Sequence, residues 1–382
     1  MAASTSVIYF KGGVMNHLKK KTIGTALLIC FLLISGVVSA EEMSLRMLIW
    51  DGYAPAELCS TFKRLIQEKY GINLELDIKI ANGNDDFFPA LRDSTADIIS
   101  PSHNVPKDKR WQLIALKQVL PINLENVPNY KNIIPALQKA DYCTEDGFVY
   151  CVPHIRGPYG LAYNTNLVAS APDSWSIFWA SEYKGKYAVG GADQYEHNVS
   201  LTALAMGIPR EKIYDYKTLN NPDFQEKLAQ LAVNAHGLWQ GVDDPETLKG
   251  LSIAAVWGFS FSELKARGEV WKIAEPKEGT TGWVDNFMIS HTIANDSKKI
   301  RVAEEWLNFV LSDAYQAYVV RGLACSPVTT TVNASLTPEE IENFHLDDPT
   351  HFEKNMILWP VLDKTDRKGL ERLWDMALSQ RK

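Results

Sequence analysis

Leu45-Arg-Met-Leu-Ile-Trp50, Ile72-Asn-Leu-Glu-Leu-Asp-Ile78 and Ala96-Asp-Ile-Ile-Ser100 are three apolar runs, and what separates them decides the fold class. The first reads as a buried strand. Pro55 then opens a helix whose Leu58, Phe62, Leu65 and Ile66 share one face, and Gly71 closes it. In the second run Ile72, Leu74, Leu76 and Ile78 alternate with polar residues, the pattern of a half-buried strand. A short helix around Phe87 to Leu91 leads into the third run, a strand from Ala96 to Ser100. This strand–helix alternation predicts a mainly parallel sheet covered by helices. It resumes with strands at Leu161 to Tyr163 and Tyr187 to Val189, a helix from about Ser200, and a strand from Ile253 to Trp257. Farther on, Ala303, Trp306, Leu307 and Val310 form one helical stripe. No internal repeat or long linker interrupts the chain, so two α/β lobes joined without a flexible tether are expected. Ligands bind beyond the carboxyl ends of strands in such sheets, and Trp50, Ser102 and Trp257 each follow an apolar run.

The chain has 382 residues. Its start does not read as part of the fold. Lys19, Lys20 and Lys21 precede the apolar run Ile23 to Val38 and the small-residue end Val38-Ser39-Ala40, the pattern of a secretory signal peptide cleaved after Ala40. Residues 1–14 read as an upstream extension with Met15 as an alternative start, and an uncleaved anchor is the other reading of the apolar run. Removing residues 1–40 takes away four Lys and no acid, so the formal charge goes from −7 to −7 − 4 = −11. So acidic a chain will not hold nucleic acid through its phosphates, and it favours the approach of small cations. Cys143 and Cys151 bracket Asp146-Gly147, a hairpin turn signal. In an exported protein they are expected to form a disulfide. Cys59 and Cys325 could be a second pair or two buried thiols.

Two aromatic–carboxylate pairs carry the functional reading. Glu275-Pro-Lys-Glu-Gly-Thr-Thr-Gly-Trp283-Val-Asp285 delivers a ring and a carboxylate two residues apart, on one side of an extended strand. Trp50-Asp51-Gly-Tyr53 repeats the combination near the N-terminus. A ring face with an anion beside it suits an organic ammonium group, which takes cation–π contact and a charge-assisted hydrogen bond. Two such pairs so far apart in sequence suggest a cleft between two lobes around a cationic ligand. Asp193-Gln-Tyr-Glu196 puts two carboxylates on one face if helical. They read first as a helix-start charge cluster, and otherwise as general acid and base or a clamp for a diammonium group. No phosphate loop, nucleophile elbow, His-Glu-x-x-His or Cys-x-x-Cys is present, and His154, His197 and His291 lack ligand spacing. No metal, cofactor or enzymatic activity is therefore expected; a Cys143 or Cys325 nucleophile is the rival reading.

In order and spacing the chain resembles the bacterial periplasmic spermidine/putrescine-binding proteins of polyamine ABC importers. The resemblance rests on Trp50-x-x-Tyr53-x-Pro55, Asp97-Ile-Ile-x-Pro101-Ser102, and Ser174-Trp175-x-x-Phe178-Trp179-x-x-Glu182-Tyr183-Lys184-Gly185. It continues in Trp257-x-x-Ser260 and Pro276-Lys-Glu-Gly-x-x-x-Trp283-x-Asp285. It implies a type II periplasmic-binding fold, two mainly parallel-sheet lobes closing on a linear polyamine. Trp50, Tyr53, Trp257 and Trp283 then match the aromatic box, Asp285 an acid for an ammonium, and Ser102 a polar contact. Asp193 and Glu196 match the family's paired carboxylates in type and spacing.

The departures are as informative. Where the family places a carboxylate next to the Tyr stands Gly52, with the acid moved to Asp51. A family Tyr falls near Leu323 or Ala324, and a family Gln near Trp359-Pro360. A second-lobe aromatic is replaced by Arg156, which would repel a polyamine unless paired or turned outward. The expected lobes are residues 41–152 with 286–330, and 153–285 with 331–382, after the extension and leader of 1–40. What the resemblance implies is a monomeric periplasmic receptor that hands a small polycation to a membrane permease. The alternatives are a norspermidine sensor acting on a membrane signalling enzyme in biofilm control, and a receptor for another aminated solute.

Overall fold

The computed structural model describes residues 41–348 and 350–381. The leader, the cleavage position and Met15 lie outside the described residues.

The opening runs form their elements for the reasons read above. Strand β1 (Glu41–Ile49) is followed by helix α1 (Ala56–Tyr70), which buries Cys59, Phe62 and Ile66. Pro55 precedes its first turn and Gly71 ends it at φ 70°, a left-handed conformation open to glycine. In β2 (Ile72–Ile80) Ile72 and Leu74 are buried between exposed Asn73 and Glu75. Helix α2 (Phe87–Arg92) leads to β3 (Ile98–Ile99), shorter than its apolar run because only these two residues pair with β1. Asp97, fully buried, is ion-paired with Arg46 and Lys299 and so ties β1 to the helix Ser297–Phe309.

Cys143 and Cys151 are bonded, their Cα atoms 5.3 Å apart, across the hairpin β4 (Thr144–Glu145) and β5 (Phe148–Val149). Asp146 and Gly147 both adopt positive φ at its turn, as a two-residue type I′ connection requires. The long β6 (Val152–Asn164) follows, then β7 (Tyr187–Gly190), helix α3 (Tyr195–Ala205), β8 (Gly237–Trp239), β9 (Ile253–Val256), β10 (Trp271–Ile273), β11 (Thr280–Ile289) and β12 (Met356–Leu358). Helix α3 begins five residues before the expected Ser200, with His197 through Leu204 all buried. A helix covered on every side has no stripe from which its start could be read.

The main sheet runs β2-β1-β3-β11-β6-β9-β7-β8, with β10 added on β6 and β12 on β11. Pairing is parallel at β1/β3, β9/β7, β7/β8 and β11/β12, and antiparallel where β6 and β11 pair with each other, with β3, and with β9 and β10. This is the expected α/β class. One hydrophobic core gathers β1, α1, the near half of β11 and the helix Ser297–Phe309. A second gathers β7, α3, β9, the helix Pro222–Asn234 and the C-terminal helix Lys364–Leu378. Trp257 and Trp359 pack against both.

Candidate ligand-binding site

The alternation of β11 turns Trp283 and Asp285 to one face and Val284 to the other. Asp285 is 5% exposed. The Tyr53 hydroxyl donates to its Oδ2 at 2.7 Å, and Ser102 bridges to it through the backbone. Among the described residues its buried Oδ1 accepts no hydrogen bond. Burial pushes the carboxyl up to about 6, against the pull of Tyr53 and Ser102 toward the charged form. Trp283 lies opposite Gly157 in register, and a Cβ there would come within 2.8 Å of the indole. Only glycine lets that ring lie flat on the strand. Tyr53 is itself set by Tyr315, whose hydroxyl donates to the Tyr53 carbonyl.

Across the sheet, Trp257 leaves β9 on a turn fixed by Asp243. That buried carboxylate accepts from the backbone N–H of Trp257, Gly258 and Ser260 and from the Ser260 hydroxyl. The Trp257 ring stands edge-on to Tyr159, His197 and Trp359, with centroids 4.8, 4.9 and 5.6 Å away. Burial lowers His197 to about 3 and His103 to about 4, so both are neutral near pH 7. Neutral His103 accepts from the Val284 N–H through Nδ1 and donates from Nε2 to the Trp359 carbonyl. It thereby fastens the strand carrying Asp285 to the segment carrying Trp359.

The expected residues divide. Tyr53, Ser102 and Asp285 form one contact group, with Trp283 beside Asp285 on its strand. Trp257 anchors the second, aromatic group. Trp50 is half-buried edge-on against Phe87, and among the described residues its indole N–H has no partner. Asp51 is exposed and receives the N–H of Gly52. Gly52, at φ 80°, sits against Leu323 and receives the Tyr318 hydroxyl on its carbonyl. Asp193 is exposed in a 3-10 turn before α3, accepting from Gly241 N–H and Gln194. Glu196, in the first turn of α3, accepts from the Tyr195 hydroxyl, and burial raises its pKa in the field of Arg110 and Arg367. Among the described residues no hydrogen bond joins either acid to the Asp285 group.

Arg156 resolves a concern raised by the sequence. It pairs with Val284, so its side chain shares that residue's face, opposite Trp283 and Asp285. It donates to the Pro327 carbonyl, lies over Phe352, and lines a separate cavity of about 30 Å³. Burial lowers it to about 10. Cys59 and Cys325 are buried free thiols, not a pair.

Sequence reasoning missed Tyr159, His197 and His103, whose partners lie far along the chain, and Asp243, whose donors come from the 257–260 turn. Trp359 had a signal: Trp-Pro directly after an apolar run, where the related family carries Gln.

A family model described as bacterial extracellular solute-binding protein matches residues 93–349. The chain belongs to that family. This solute-binding protein is 20% identical over 318 residues to the spermidine/putrescine-binding periplasmic protein of Salmonella typhimurium, covering 80% of this chain and 83% of the relative. Its Escherichia coli counterpart matches at 20% over 303 residues, 76% of this chain and 79% of the relative. The crystal structure of the spermidine/putrescine ABC transporter substrate-binding protein of Streptococcus pneumoniae superposes with a TM-score of 0.71 at 19% identity. It covers 89% of this chain and 100% of the other, so the two share a fold. The family resemblance read from the motifs is the one these comparisons return. Among the described residues of this solute-binding protein, no helix is long and apolar enough to cross a membrane.

Proposed function

We propose that this solute-binding protein closes around a linear polyamine of the spermidine, norspermidine or putrescine class and presents it, unchanged, to a membrane permease. The observation that carries the reading is Asp285 Oδ1, a buried carboxylate oxygen that accepts no hydrogen bond among the described residues. Such a group is costly unless a ligand supplies the missing hydrogen bond, and an ammonium supplies both the bond and the charge. Trp283 beside it, Trp50 near β3 and Trp257 across the sheet offer faces for the methylene chain and cation–π contact. The relatives named as spermidine/putrescine-binding support the ligand class. In this reading the leader is removed after Ala40, the protein acts as a periplasmic monomer, and the lobes are residues 41–152 with 286–330 and 153–285 with 331–382.

Calorimetry with spermidine, norspermidine and putrescine tests it. Saturable one-to-one binding of at least one is expected; binding only of carboxylated amines such as γ-aminobutyrate overturns it. A carboxylate-reading Arg156 gains no support, because that side chain faces away from Asp285. The rebuilt first-lobe end, with exposed Asp51 and with Leu323 against Gly52, favours a second reading as a norspermidine sensor of a membrane signalling enzyme in biofilm control. Uptake of labelled polyamine by a deletion strain separates the two: a wild-type rate excludes an essential transport role.

A further inference from the structure

Glu275 follows β10, whereas His345 and His351 lie on the passage that returns from the helix Asp313–Leu323 toward β12. Seventy-odd positions separate them from Glu275 in sequence, which is why no ligand spacing was visible. The fold brings one ligand atom of each within 4.8 Å of the others. His345 Nε2 is 3.0 Å from Glu275 Oε1, and His351 Nε2 meets the same oxygen. The two imidazoles lie stacked, centroids 4.2 Å apart and 13° from parallel.

Two rings aimed side by side at one carboxylate oxygen is more than a hydrogen bond requires. One histidine suffices for that, and two protonated rings stacked together would repel. Two imidazole nitrogens and a carboxylate oxygen converging on a point are the donor set of a tetrahedral zinc site with a fourth position left for water. Ligand atoms on such a centre stand about 3.3–3.5 Å apart, given bonds near 2.0–2.2 Å, so small side-chain rotations complete the geometry. Three further acids act on the two rings, Glu342 and Asp347 on His345 and Asp348 on His351; Asp348 is ion-paired with Lys354, and Arg156 lines a cavity with His345. The site is separate from the Asp285 group and is reachable, its side chains between 23% and 52% exposed.

We infer that Glu275, His345 and His351 bind one divalent ion of the zinc class. The ion fastens the returning passage to the connection between β10 and β11. That seam already has one clasp, Arg210, which donates to the carbonyls of Glu278 and Lys354. His351 opens the short helix His351–Asn355 that runs into β12 and on to Trp359. A bound ion therefore fixes the approach to a residue of the aromatic group.

The test is calorimetric titration of zinc chloride into tag-free, chelator-stripped protein, beside thermal melts with and without zinc. One site with a dissociation constant below about 10 µM and a zinc-dependent rise in melting temperature are expected. His345→Ala with His351→Ala should abolish both, and Glu275→Gln should weaken binding at least about tenfold, while each variant melts normally in chelator. The absence of saturable binding, or undiminished binding by the double variant, overturns the assignment. Because its readouts need no polyamine, failure here leaves the proposed function standing, and the reverse also holds.

Discussion

The two halves of the candidate site solve different problems. Around Asp285 the chemistry is polar and unfinished: one carboxylate oxygen takes the Tyr53 hydroxyl, and the other accepts no hydrogen bond among the described residues. Around Trp257 the carboxylate is satisfied. Asp243 receives four hydrogen bonds and spends them on holding a turn, while the surface offered is aromatic. Both acids are buried, so burial alone does not mark a ligand-binding acid. The number of donors left unsupplied does.

The sharpest way to break this contrast is Asp285→Asn. It keeps the shape, removes the charge, and should weaken polyamine binding by roughly 10- to 150-fold, the worth of one hydrogen bond to a charged group at about 1.5–3 kcal/mol. Calorimetry reads it; an unchanged affinity would move the site elsewhere. The pH dependence follows from the same group. With a carboxyl raised to about 6, protons compete with an ammonium below that pH, so affinity should fall about tenfold between pH 7 and 5. Without ligand the sign reverses. A carboxyl raised above its unfolded value contributes stability that is full below about pH 4 and lost as pH rises through 6. Melts of the free protein should therefore show this component, and Asp285→Asn should remove it.

Trp257→Leu probes the other half and should cost about fivefold in affinity, one cation–π contact near 1 kcal/mol. A loss equal to that of Asp285→Asn would show that the two halves are not distinct in kind. At the small end, Asp51→Asn should change affinity less than about twofold, because exposed charges contribute little. A large loss there would place Asp51 in the ligand's contacts.

Much of the fold was legible because its signals are local. Pro55, the α1 stripe and Gly71 each act within one turn, and the Asp146-Gly147 hairpin carries its own turn chemistry. Trp283 and Asp285 were legible for the same reason, two positions apart on one strand. The start of α3 was not, since burial on all sides erases periodicity. The second half of the site was read only at Trp257. His197, Tyr159 and Trp359 meet it through contacts that span the chain, and Asp243 looks like any other loop acid until the donors of the 257–260 turn surround it. Arg156 shows the converse: the sequence left open whether it meets the ligand or is paired or turned outward, and the register with Val284 decides for outward.

The hydrogen bond from Tyr53 to Asp285 joins residues 232 positions apart. β3, near the beginning, is paired on one side by β11, and the first core takes Val284, Phe287 and Ile289 from that late strand. Contacts so distant must meet the entropy of closing a very long loop before any packing rewards them. A chain emerging amino end first thus carries its opening core unfinished until β11 arrives. The second core waits longer still, because the C-terminal helix Lys364–Leu378 closes it. Both cores are completed only by late segments, and the acid that awaits a ligand takes its place only when β11 joins β3.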